Sequence, residues 1–357
     1  MNFATFWAIG FNIILLYQKL VPNISSRFFK DEIFIILAIT SLVIFENKRK
    51  PIKFILLTLP VIAFFKQENF HSASGFIHLL YLPIGLALFC QSLDQKPGGK
   101  KILSLGFFIG LCITCAWSLL EHFDIQPLLW ARYFSPKLIP TAQTGEGMRH
   151  GILQNTMLSA GMVAALLPFA FTKKRFWVVP LALFCIYSMD SAMATLAAIG
   201  VVALFCYKHL KLWKTSIFIL VAAIICVFLV PARFWEGSTR FIIWKELWYQ
   251  ESITFWGKEL SYFADKYYMP TFKLFSEGYD HPHNEYINIL LHFGVYGALI
   301  FAYLVSKIRL KNIHFAASTS AVLINAAGTF PFHISSIVLI LILVYPHSIE
   351  GDSYEAC

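Results

Sequence analysis

The sequence predicts an all-α polytopic membrane protein of about twelve transmembrane helices, with a large external loop between helices 9 and 10. Three observations carry that class. Hydrophobic residues make up 58% of the chain and charged residues only 14%, a balance foreign to an ordinary soluble domain. Apolar runs recur along its length, each long enough or nearly long enough to cross a hydrocarbon core of about 30 Å. Lysine and arginine gather in alternate short loops, as the positive-inside rule demands of one membrane face.

In chain order the spans fall at 3–18, 32–46, 52–66, 75–93, 102–121, 151–172, 176–189, 191–207, 215–231, 284–305, 313–329 and 332–347. The first opens at Phe3 without a preceding basic segment or a small-residue cleavage site, so it reads as a retained span. The third and seventh are short, and the last two share a tight connection. Basic loops lie at Lys48/Arg49/Lys50/Lys53, Lys96/Lys100/Lys101, Lys173/Lys174/Arg175, Lys208/Lys211/Lys214 and Lys307/Arg309/Lys311. The net charge of +9 is therefore a topology signal and not a nucleic-acid footprint. Both termini fall inside and the loops 122–150 and 232–283 outside, so 1–357 is a single integral membrane domain. Six of the seven cysteines sit within spans, and the Cys112-Ile-Thr-Cys115 pair reads as helix packing rather than redox or metal chemistry.

Polar chemistry concentrates where the external loops meet the membrane. The first loop ends Thr144-Gly-Glu146-Gly-Met148-Arg149-His150-Gly151, immediately before the sixth span. Arg149 suits a phosphate, whose oxygens its planar fork engages in pairs, and equally suits a boundary arginine snorkelling to the headgroups. His150 is beside it. In the second loop, Gly237-Ser-Thr-Arg240-Phe-Ile-Ile-Trp244-Lys-Glu-Leu-Trp248 reads as a capped helix with Arg240, Trp244 and Trp248 on one side. That pattern fits the headgroup layer, with Arg240 on a lipid phosphate or on a substrate.

The same loop closes Glu277-Gly-Tyr279-Asp280-His281-Pro282-His283-Asn284-Glu285. His283 and Asn284 fall at the mouth of the tenth span, with Gly294 and Gly297 further along, where small residues permit close helix contact. His281 and His283 flank a proline and point apart, a poor metal pair lacking a third ligand. A neutral histidine acting as hydrogen-bond acceptor or general base is the better use of His283. Asp190, in the turn between spans seven and eight, either pairs an arginine or faces water.

His283-Asn284-x9-Gly294-x-x-Gly297 after a large external loop resembles the signature of bacterial O-antigen ligases, in a superfamily with O-antigen polymerases and protein O-oligosaccharyltransferases. Thr239-Arg240-Phe-Ile-Ile-Trp244 is similar to the arginine–tryptophan segment opening that family's periplasmic loop. Met148-Arg149-His150-Gly151 and Phe330-Pro-Phe-His333 resemble two further family segments. The likeness covers roughly residues 140–345; the first five spans match in hydropathy alone. One departure is clear: Ser188-Met-Asp190-Ser191 stands where members often carry a Ser-Arg-Gly-like triplet.

The resemblance implies a GT-C-like, metal-independent, inverting glycosyltransferase of the bacterial inner membrane that needs no cofactor. Its donor is a polyprenyl (undecaprenyl) diphosphate-linked glycan, and its acceptor is lipid A–core or another glycan, on the periplasmic face. His283 then serves as base and Arg149 and Arg240 as cations for the leaving diphosphate. Asn284, His150, Trp244, His281 and Asp190 are the expected substrate contacts. A polymerase shares this chemistry, and a transporter or flippase is the rival of another class.

Overall fold

A computed structural model describes residues 2–20, 32–45, 98–123, 156–209, 239–258, 284–329 and 335–349, with isolated positions between them. These residues form helices and the turns and loops between them, with no strand among them. The helices are α1 (Phe3–Leu20), α2 (Glu32–Ile44), α3 (Gly99–His122), α4 (Thr156–Leu166), α5 (Val178–Ser188) and α6 (Ala192–His209). They continue as α7 (Thr239–Gln250), α8 (Glu285–Ser306), α9 (Ile313–Ala326) and α10 (Ser335–Ile349). Nine of the twelve expected spans fall on helices; those at 52–66, 75–93 and 215–231 lie outside the described residues but for a few positions.

α3 and α8 are long and apolar enough to cross a membrane. The other described helices fall short of that, among them α5, whose 11 residues rise only about 16 Å. α9 is the centre of the bundle: it packs against α4, α6 and α10, while α3 packs against α1, α4 and α5. The interhelical contacts are mainly aliphatic and aromatic, with Phe107, Phe169 and Phe315 in tilted and edge-on contact, and polar ties run from Ser318 to the Ala165 carbonyl and from Asn12 to the Gly106 carbonyl.

Polar ties mark one end of this bundle. Arg175 folds back so that its guanidinium donates to the backbone and hydroxyl oxygens of Ser104, both at 3.3 Å, and lies over the Phe108 ring. The backbone amide of Arg309 donates to Ser348 and the side chain of Asn312 to His347. The basic segments 100–101, 173–175 and 307–311 thus lie near helix ends, and the His314 ring nitrogen, 2.8 Å from the Pro168 carbonyl, brings the start of α9 beside the end of α4.

α8 departs from expectation. It is broken at Gly294, whose backbone (φ 65°, ψ −163°) lies in a region open to glycine alone. The segment 251–258, which leaves α7, docks into the break. The amides of Val295 and Tyr296 donate to the carbonyls of Thr254 and Phe255 at 3.2 and 3.1 Å, and the amide of Lys258 donates to Leu291 at 2.8 Å. Gly257 (φ 78°) meets the backbone of His292 so closely that a Cβ would collide with it. Gly294 therefore serves a backbone break filled by a strap, and not the helix-on-helix approach expected of it. Gly297 faces the side chain of Phe293 on its own helix.

Candidate functional site

The mouth of α8 is assembled from three directions. Asn284 has extended backbone (φ −151°), and its side-chain oxygen accepts from the amides of Tyr286 and Ile287 at 3.0 and 3.2 Å. This is an N-cap, which satisfies two amides the first helical turn leaves open. The Asn284 amide nitrogen donates to the carbonyl of Ala327, just past α9, at 2.8 Å. Tyr286 adds a second tie, its hydroxyl donating to Leu323 at 2.6 Å. Asn284 thus holds α8 against α9.

Glu285 went unnoticed in the sequence. It is 2% exposed, and its carboxylate accepts from the amide of Phe332 at 3.0 Å and from the side chain of Asn288 at 3.3 Å. An acid opening an apolar helix is the signal that could have found it, because such a group must be partnered. It joins the mouth of α8 to the Phe330-Pro-Phe-His333 segment.

From the other side comes α7. The indole N–H of Trp244 donates to the carbonyl of Pro282 at 2.7 Å, and Ile243 and Leu247 form a small core with Phe263 and Leu291. Trp248 is 74% exposed. Steps of four advance about 40° around a helix, so Trp244 and Trp248 diverge by enough to separate a docked ring from a free one. Arg240 lies in the first turn of α7, with its side chain outside the described residues.

The chain is therefore pinned on either side of His283, at Pro282 by Trp244 and at Asn284 by Ala327. His283, His281, Arg149 and His150 themselves lie outside the described residues. Asp190 is exposed and left-handed (φ 50°) in the turn between α5 and α6, a conformation aspartate tolerates. Ser191 follows it and accepts from the amide of Ala194 at 3.4 Å. Asn325 was also missed: it is 1% exposed, and its side-chain oxygen has no hydrogen-bond partner among the described residues.

The strap is clasped at its base. Lys258 is ion-paired and hydrogen-bonded to Glu251 and donates to the hydroxyl of Tyr262 at 3.1 Å, with its ammonium 4.3 Å from that ring's centre. Burial works against the charged ammonium, but the bonds to Glu251 and Tyr262 outweigh it and hold the Lys258 pKa above the ordinary lysine value. Among the described residues no three metal-ligating side chains gather in one place. No protein-family model matches this chain, and neither does any curated protein or solved structure.

Proposed function

We propose that this chain is a many-span inner-membrane glycosyltransferase that moves a glycan from polyprenyl diphosphate to a sugar hydroxyl on the periplasmic face, as an O-antigen ligase does. The observation that carries the reading is the fixation of both backbone neighbours of His283, the residue at the head of the ligase-like motif. A base must hold its ring against one acceptor hydroxyl, and assistance of this kind contributes about 10²–10⁴-fold. His283 takes the hydroxyl proton as the acceptor oxygen attacks the anomeric carbon. The bond to the diphosphate oxygen breaks on the opposite face, so the configuration inverts.

The leaving diphosphate needs cations just outside the hydrocarbon. The cap on α8 already occupies the amides of Tyr286 and Ile287, which an anion at a helix N-terminus would otherwise take. Side-chain cations must then hold the phosphates, the role assigned to Arg149 and Arg240. Lipid A–core is the acceptor of a ligase, and a second lipid-linked glycan that of a polymerase.

Deletion of the gene followed by electrophoresis of lipopolysaccharide tests the reading. A ligase leaves core without O-chains while lipid-linked polymer accumulates; a polymerase leaves core carrying one repeat. The broken helix favours a second reading, a transporter or flippase, because such breaks build transport sites at membrane depth. Purified protein in detergent separates the two. A transferase joins lipid-linked glycan to acceptor with no membrane present, and a flippase forms no product.

A further inference from the structure

Away from the mouth of α8, an exposed aromatic surface lies on the strap and the second half of that helix. Ser252-Ile253-Thr254-Phe255-Trp256-Gly257 carries no charge, and Ile253, Phe255 and Trp256 are 51%, 52% and 71% exposed. Trp256 and Phe255 lie 5.4 and 6.1 Å from the Tyr296 ring. From Tyr296 the exposed surface runs on through Leu299, Ile300 and Tyr303, one side of the half-helix. It stops at Lys307, whose ammonium lies 4.5 Å above the Tyr303 ring.

We propose that the strap is a re-entrant loop seated in the outer leaflet, with its aromatic tip against lipid acyl chains. The inference rests on the many-span reading above and not on the transfer chemistry. Depth is set by geometry. Lys307 marks the inner headgroup layer, and the half-helix from Val295 to Ser306 rises about 18 Å at 1.5 Å per residue. A hydrocarbon core of about 30 Å then leaves Gly294 and the docked strap roughly 12 Å below the outer boundary, and helix tilt lowers them further.

Two features lower the cost of that depth. Each backbone group of the strap that bonds to protein removes part of the penalty of non-helical backbone in hydrocarbon. Here the carbonyls of Thr254 and Phe255 and the amide of Lys258 bond the open ends of the broken helix. The two charges stand at the base of the loop, about 4–5 Å nearer the outer boundary than Gly294, where Glu251 and Lys258 neutralise each other and both bond Tyr262. Lipid is the occupant rather than protein because the aromatic tip continues the exposed apolar side of a helix that spans the bilayer in this reading.

Photocrosslinking tests it with the full chain in nanodiscs of phosphatidylethanolamine and phosphatidylglycerol. Trp256→p-benzoylphenylalanine and Ile253→p-benzoylphenylalanine are irradiated beside Lys245→p-benzoylphenylalanine, an exposed position on α7. Mass spectrometry should find adducts on acyl-chain carbons at 256 and 253, and loss of that signal at 245. Two tip positions guard against misfolding of either variant, and the tryptic pattern of each is checked against wild type. Adducts at the tip no more frequent than at 245, adducts confined to headgroups, or crosslinked protein dimers would each overturn the proposal. Transfer activity is not read, so loss of the ligase reading leaves the outcome intact.

Discussion

Gly294→Ala should release the strap. Alanine at φ 65°, ψ −163° carries strain of about 1–3 kcal/mol, and its methyl presses on the carbonyls of Thr254 and Phe255. The alternative is for the helix to close and expel the strap. That forfeits the bonds from Val295, Tyr296 and Lys258, each worth about 0.5–1.5 kcal/mol net. Those bonds oppose release in wild type and variant alike, whereas the strain falls on the docked state alone, so the substitution shifts the balance towards release by about 1–3 kcal/mol, which is about 5–150-fold in its population. Lys258 is the reporter, because its side chain is 17% exposed and ion-paired in the docked strap. Limited trypsin digestion in detergent should cut after Lys258 about 5–150-fold faster in the variant, following the open population. Cleavage after the exposed Lys245 should keep its wild-type rate. Wild-type cleavage at Lys258 together with an unchanged thermal midpoint would refute the account of the break.

Asn284→Ala removes a cap and the tie to Ala327, and should lower thermal stability by about 1–2 kcal/mol; Asn284→Ser should recover part of it. A raised lysine pKa stabilises below the unfolded value of about 10.4 and stops doing so as pH rises through the folded one. Trp256 emission, taken as wild type minus Trp256→Phe, should therefore hold steady to about pH 10 and shift above it; a flat trace to about pH 12 counts against the clasp. His283→Ala should abolish transfer, whereas His281→Ala keeps a substantial part. Equal losses, or wild-type activity lost to EDTA, would indicate a metal site. Arg149→Ala and Arg240→Ala should each abolish transfer in protein that still reaches the membrane, and the lysine variants should retain part of it because a point charge lacks the paired hydrogen bonds. Full complementation by both alanine variants leaves the arginines as headgroup contacts.

What was legible in the sequence was local or periodic. Apolar runs marked α1, α3, α6, α9 and α10, and basic residues marked the end where Arg175 and Arg309 lie. The cap at Asn284 was written in the order Asn, then acid, then apolar helix, but the motif reading drew attention to its polarity instead. The break in α8 was hidden because it is not local. Gly294 inside an apolar helix looks the same whether it meets a neighbouring helix or a loop, and its partner Gly257 lies in a segment with no periodicity of its own. Asn325 was invisible for a related reason: burial of a polar side chain within a helix is decided by which helices surround it, not by its neighbours in the chain.

The order of the docked pieces along the chain has a consequence for biogenesis. The strap precedes the helix it interrupts, so its carbonyls are already made when Val295 and Tyr296 are joined to the chain. At about 5–20 residues per second, a few seconds separate the two. The later segment therefore need not pass through an unbroken helix whose bond pattern must afterwards be undone, because the groups that fill the break are made before it.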